Sequence, residues 1–286
     1  MSLKLFFVIS SRVTPYVAVR AAEKLFTTPF YSKRRDIEKE ILQRAEKFTI
    51  PMGEQYQLKG YRWGNETAPA ILLVHGWTAT ATCFVDFIDP LIEKGYQVIS
   101  YDSIAHGETS GVTVSLTEWA DTVVTIMKVI GEVHCIVGHS LGSGAVVIAS
   151  SLGLQTNRLI LMSPVADIIK ITEQFAKALS IPERIMEKMR QYAWKKYYFS
   201  ASKYGKTWSD VFDSDFKVPT LIIHDIDDKE IDVSNARKLA KQWCWAELIE
   251  TKQLGHRRIL SNQGVIDAAI KFIIEPNIET KDKVLS

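Results

Sequence analysis

His134-Cys135-Ile136-Val137-Gly138-His139-Ser140-Leu141-Gly142-Ser143-Gly144-Ala145-Val146-Val147-Ile148-Ala149 reads as a buried strand, a sharp turn and a helix of small residues. The apolar run before Gly138 suits a strand covered on both faces. The G-x-S-x-G turn, Gly138 to Gly142, places Ser140 between glycines where a Cβ would clash, and a serine on such a turn exposes its hydroxyl above the sheet edge. The pattern by itself is short enough to arise by chance; the strand before it and the helix after it give it weight.

Outward from this turn the chain keeps an alternating rhythm. Residues 47–52 and 56–63 alternate apolar and polar side chains as an antiparallel opening pair does. Short apolar runs follow at 70–74, 96–101, 135–137, 158–162, 220–223 and 247–250, separated by helical patterns at 84–93, 116–130, 141–151, 234–243 and 264–274. Strands alternating with helices of this length predict an α/β fold with a mostly parallel central sheet flanked by helices. One interval is too long for a single crossover: 165–217 holds 53 residues and ten of the 29 aromatics, with Ile181-Pro182-Glu183 suited to start a helix. It is expected to form a helical lid over the sheet.

A serine hydroxyl is a weak nucleophile at neutral pH, so Ser140 needs a base and a group to orient that base. His256 follows the last apolar run, in Leu254-Gly255-His256, and Asp228 lies just past Leu221-Ile222-Ile223-His224. The order serine, acid, histidine is that of one particular fold. Asp227 is the competing acid. The other histidines, His75, His106, His134, His139 and His224, lack H-E-x-x-H spacing, and no metal or other cofactor is expected.

These landmarks resemble the α/β-hydrolase-fold serine hydrolases over residues 46–274. The likeness rests on His75-Gly76-Trp77, the D-x-x-x-H-G stretch from Asp102 to Gly107, the Gly138–Gly142 elbow and the loops of Asp228 and His256. It is strongest to a bacterial esterase- and lipase-like group sharing a basic helical leader, an R-W-G hairpin end (Arg62-Trp63-Gly64), an H-D-x-D-D acid loop and a G-H-R-R-I-L histidine loop. Asp225 stands where the wider family pattern, H-G-x-x-D, has glycine. The resemblance implies catalytic Ser140, Asp228 and His256, an oxyanion hole from the backbone NH groups of Trp77 and Leu141, and supporting roles for Gly76, Gly138, His139 and Gly142. Serine at the elbow, rather than the aspartate of epoxide hydrolases and dehalogenases, implies acyl transfer from a small-molecule ester. Thioesterase, lysophospholipase or monoglyceride lipase, carbon–carbon bond hydrolase, perhydrolase and a non-catalytic binding protein of the same fold stay open as alternatives.

Composition narrows the field further. The 286 residues carry 35 Lys+Arg against 33 Asp+Glu, a balance that argues against a nucleic-acid binder. Cys83, Cys135 and Cys244 form no framework, which points to a reducing, cytoplasmic setting. The charge is unevenly spread: residues 1–35 hold seven basic residues and one acid, a net of +6, leaving −4 on the other 251. We therefore read 1–45 as a basic helical leader attached to a hydrolase domain at 46–286, with one helix from Arg12 to Phe26. Such a leader can pack on the domain or rest on the inner face of an anionic membrane. Packing is the favoured expectation. Nothing in the sequence speaks to oligomeric state.

Overall fold

The computed structural model describes residues 2–30, 33–151, 153–202 and 217–275. Eight strands form one sheet: β1 (Glu46–Met52), β2 (Tyr56–Trp63), β3 (Ala70–Val74), β4 (Gln97–Asp102), β5 (Val133–His139), β6 (Thr156–Met162), β7 (Thr220–Asp225) and β8 (Ala246–Thr251). Their spatial order is β1-β2-β4-β3-β5-β6-β7-β8. β1 and β2 pair antiparallel, β2 joins β4 antiparallel, and every later pairing is parallel.

The central strands are apolar on both faces because each face meets its own layer. In β3, Leu72 and Val74 point into a core built with Ile99, Ile136, Leu159 and Ile222, whereas Ile71 and Leu73 point into a second core with Val98, Val137, Ile160 and Ile223. The period-two alternation therefore separates two layers rather than core from solvent. The first layer is closed by α5 (Leu116–Ile130), α6 (Leu141–Ser150) and α9 (Ser234–Gln242), the second by α4 (Val85–Glu93) and α11 (Gln263–Ile274). Ser115 caps α5 with a capping box to Glu118, and Gly131 (φ 80°) ends it, so its limits are those the sequence predicts.

The leader differs from the sequence reading in its helices. The leader is not one helix from Arg12 but α1 (Leu3–Val13), α2 (Pro15–Thr27) and α3 (Asp36–Gln43). Pro15 cannot continue a helix from Val13 but suits the first position of a new one, so the chain breaks at Thr14 (φ −139°). These helices pack on the rest of the chain. Ile41 and Leu42 join the second core, the Trp63 indole N–H donates to the Ile41 carbonyl at 2.8 Å, and the Val114 N–H donates to Thr27 at 2.9 Å. The 165–217 interval contributes α7 (Ile168–Leu179) and α8 (Glu183–Ser202). A third cluster joins them to the leader: Phe7, Ala18, Val19 and Ala22 pack on Ala176, Ile181, Ile185, Met186 and Met189. Tyr204, Trp208, Phe212 and Phe216 lie outside the described residues.

Candidate active site

The loops that leave the carboxyl ends of the parallel strands converge on Ser140. Ser140 adopts φ 55°, ψ −126°, a region that a residue with a Cβ enters only when its surroundings enforce it. Its N–H donates to the Met162 carbonyl at 2.9 Å, and its own carbonyl accepts from Gly144. The glycines allow the neighbouring chain to close in. A Cβ on Gly142 would lie 2.2 Å from the His75 carbonyl oxygen, and one on Gly76 would lie 2.9 Å from the Ser140 Cβ. Gly138 faces Ser143 just as tightly. Thr78, Ala105, Ser163 and Gln253, in the loops after β3, β4, β6 and β8, also have positive φ. Backbone strain is thus gathered around this point, as it is where geometry is held for function.

The structure brings the three dispersed residues together. His256, at the start of the short α10 (Gly255–Arg258), places Nε2 2.9 Å from Ser140 Oγ and Nδ1 2.7 Å from Asp228 Oδ2. Asp228 Oδ1 accepts the N–H groups of Glu230 and Ile231 at 2.8 and 2.9 Å. Burial pushes the Asp228 carboxyl upward, but the hydrogen bonds from His256 and from those two amides outweigh it and hold the group down at about 2. A carboxylate can only accept, so Nδ1 carries the proton. Nε2 is then the acceptor and the Ser140 hydroxyl the donor. Asp227 is not in this chain: its Oδ2 accepts the Gln253 N–H at 2.9 Å.

Ser140, His256, Trp77 and Leu141 border a cavity of about 910 Å³. Its walls are mostly apolar, with Ile168 and Phe175 from α7, Met189 and Trp194 from α8, and Leu25 and Phe26 from α2. Leu141 is the first residue of α6, where N–H groups lack intrahelical partners and the helix end favours negative charge. Among the described residues no cluster of three or more His, Cys, Asp or Glu is arranged to hold a metal ion.

The model of the family described as "Alpha/beta hydrolase family" matches residues 71–268. The chain belongs to the alpha/beta hydrolase family. A serine hydrolase-like protein of Dictyostelium discoideum is 29% identical over 138 residues, 46% of this chain and 38% of that protein. A human serine hydrolase-like protein is 28% identical over 101 residues, 34% of this chain and 48% of its own. The matched segments thus span less than half of those two curated relatives. Among solved structures, an esterase from Exiguobacterium antarcticum superposes with TM-score 0.61 at 15% identity, covering 80% of this chain and 100% of the esterase. Mouse alpha/beta hydrolase domain-containing protein 10 gives 0.61 at 17% identity, covering 80% and 97%. At such identities the likeness is one of fold.

Within this alpha/beta hydrolase several residues acquire contacts that the sequence left open. Asp225, where the wider pattern has glycine, is fully buried and ties the acid loop to the histidine loop: it accepts from Thr251 Oγ1 at 2.8 Å and from the Leu254 N–H at 3.0 Å. With Asp227 gripping Gln253, two of the loop's three aspartates brace the segment that carries His256. His139 Nε2 bonds the His256 carbonyl at 2.9 Å, and burial, with His256 beside it, pushes the His139 imidazole down to about 3, so the ring stays neutral beneath His256. His75 and His106 work alike in the loops after β3 and β4. His75 Nε2 accepts from the Ser103 N–H, and His106 Nε2 from the Thr78 N–H. Burial lowers them to about 4 and about 3. Glu230, half-exposed on the cavity wall, has Oε2 3.9 Å from His256 Nε2. No pattern in the sequence marked it; only the loop's curl brings it there.

Proposed function

We propose that this chain is a serine hydrolase that cleaves carboxylic esters through an acyl-enzyme on Ser140. The observation that carries the reading is the hydrogen-bonded line from Ser140 through His256 to Asp228 at 2.9 and 2.7 Å, opening on an apolar cavity. Ser140 Oγ attacks the ester carbonyl as its proton passes to His256 Nε2. The resulting oxyanion is received by the backbone N–H groups of Trp77 and Leu141, an arrangement in which one aimed donor contributes about 3 kcal/mol of barrier reduction. The carbon–oxygen bond to the alcohol breaks as Nε2 returns the proton to it. Water, deprotonated by the same nitrogen, then releases the acid and restores Ser140. Asp228 fixes the Nδ1–H tautomer and stabilises the transient imidazolium.

The substrate acyl group lies against α7 and α8, which serve as the lid, and against the end of α2. A cavity near the upper part of the roughly 300–1,000 Å³ range of small-molecule sites suits an extended acyl chain better than an acetyl group. The names of the relatives, serine hydrolase-like protein and esterase, agree with ester chemistry.

The test is hydrolysis of p-nitrophenyl esters from acetyl to palmitoyl, with fluorophosphonate labelling. Wild-type protein is expected to turn over the longer esters faster and to be labelled on Ser140. Ser140→Ala should lose both while its circular dichroism is unchanged. Unaltered turnover in that variant would end the assignment, and a flat chain-length profile would end the acyl-cavity part of it.

A further inference from the structure

The leader has two apolar faces, and the fold covers only one. On α1 the inward side, Phe7, Ser10 and Ser11, is buried, and on α2 Ala18, Val19 and Ala22 are buried against α7 and α8. On the opposite side of α1, Leu5, Ile9 and Val13 fall at helical spacing and are 49%, 47% and 73% exposed, with Val8 beside them. At the start of α2, Tyr16 and Val17 are 70% and 47% exposed. Single exposed apolar residues are ordinary; four along one side of α1, followed by two more in the first turn of α2, are not.

The charges around the row all have one sign. Lys4, Arg12, Arg20 and Lys24 are exposed on the same two helices. The one acid among the first 35 residues, Glu23, is buried, where it accepts from Lys196 Nζ at 2.6 Å and from the Tyr197 hydroxyl at 2.7 Å. The fold has thus withdrawn the segment's only negative charge from the surface. The same segment also reaches the cavity: Leu25 and Phe26 line it, and Phe30, 76% exposed, stands at its rim.

We infer that α1 and α2 form a docking surface for an anionic phospholipid bilayer, lying flat with Leu5, Ile9, Val13 and Tyr16 at the acyl boundary and the four cations at the headgroups. Apolar burial combined with basic residues at the rim of the stripe is what an interfacial helix requires. No helix among the described residues is long and apolar enough to cross the membrane, so the contact is peripheral. A second copy of the chain fits this face poorly, because a two-fold contact would bring together two faces of like charge with Glu23, the one acid of the first 35 residues, buried. Docking places the cavity rim, at Phe30, next to the bilayer. The inference does not depend on the Ser140 chemistry, since membrane binding and ester turnover are read separately.

The experiment sediments the full chain with vesicles of phosphatidylcholine alone or containing one quarter phosphatidylglycerol, and compares wild type with Ile9→Glu/Val13→Glu and with Lys4→Glu/Arg12→Glu. Wild type should partition onto the anionic vesicles and much less onto the neutral ones, with affinity falling as salt is added. Each double variant should lose about tenfold or more of that affinity. All four side chains are exposed and away from the cavity, so the melting temperature and turnover of a water-soluble ester should be those of wild type. Equal binding of wild type and variants, or no preference for the anionic vesicles, overturns the proposal. So does a wild-type dimer in sedimentation equilibrium that Ile9→Glu/Val13→Glu converts to monomer.

Discussion

Arg34→Met is the substitution that best tests whether the leader is a structural part of the hydrolase. Arg34 Nη2 reaches Asp102 Oδ2 at 2.6 Å, and Asp102, at the end of β4, is fully buried. The same carboxylate accepts from the Tyr61 hydroxyl at 2.9 Å, the Glu108 N–H at 2.8 Å and the Ala81 N–H at 2.8 Å. Removing one partner of a buried ion pair costs about 3–5 kcal/mol because the other charge is left uncompensated. Three donors remain on Asp102, so the lower end applies, about 3 kcal/mol. The second contact of Arg34, to half-exposed Glu108 at 3.4 Å, adds little. With an unfolding entropy of about 2.1 cal/mol/K per residue, this loss lowers the melting temperature by about 5 °C. The assay is thermal unfolding of Arg34→Met, Asp102→Asn and the double variant, at low and high salt. A coupling of about 2 kcal/mol is expected, and because the pair is buried it should change little with salt. A melting temperature for Arg34→Met within about 1 °C of wild type, the scale of an ordinary surface change, would refute the reasoning.

Three further outcomes follow from the site. Asp228→Asn should lower kcat on a soluble ester by about a thousandfold or more, by freeing the His256 tautomer, while Asp227→Asn, which only loosens Gln253, should retain most of it; steady-state kinetics of the pair decides. The unfolded chain protonates His75, His106 and His139 near 6.5, but burial holds them neutral in the fold down to about 4, about 3 and about 3. The unfolded state therefore binds more protons below 6.5. Stability should fall as pH drops from 6.5 towards 4, by up to about 1.4 kcal/mol per pH unit for each histidine, and a melting temperature unchanged between neutral pH and pH 5 would contradict this. Asp228, depressed to about 2, adds its own loss only at lower pH, as protonation proceeds from its ordinary range down through that value. Gly142→Ala forces a Cβ to 2.2 Å from the His75 carbonyl oxygen and should cost at least about 1 kcal/mol together with most activity, whereas at Gly144 the nearest atom is 3.6 Å away and alanine should be tolerated.

What the sequence alone determined is local and periodic. The apolar runs at 70–74 and 220–223, the capping box at Ser115 and the glycine-flanked Ser140 each declare a conformation within a few residues, so the sheet, its flanking helices and the elbow were readable. The resemblance favours Asp228 over Asp227, but spacing alone does not separate two acids of one loop; in the fold Asp228 meets His256 and Asp227 meets Gln253, with the Asp227 N–H donating to the buried Asp225. The leader shows the same division. Its charge and helical periodicity were plain, but periodicity cannot tell which partner a face will meet. Only the third dimension decided that Phe7, Ala18 and Ala22 would be covered by Ile185 and Met186, that Arg34 would reach Asp102 at the carboxyl end of β4, and that Leu5, Ile9 and Val13 would stay uncovered. Those outcomes depend on residues more than 60 positions apart in the chain, and contacts of that span are fixed by how the layers stack rather than by any pattern within a segment.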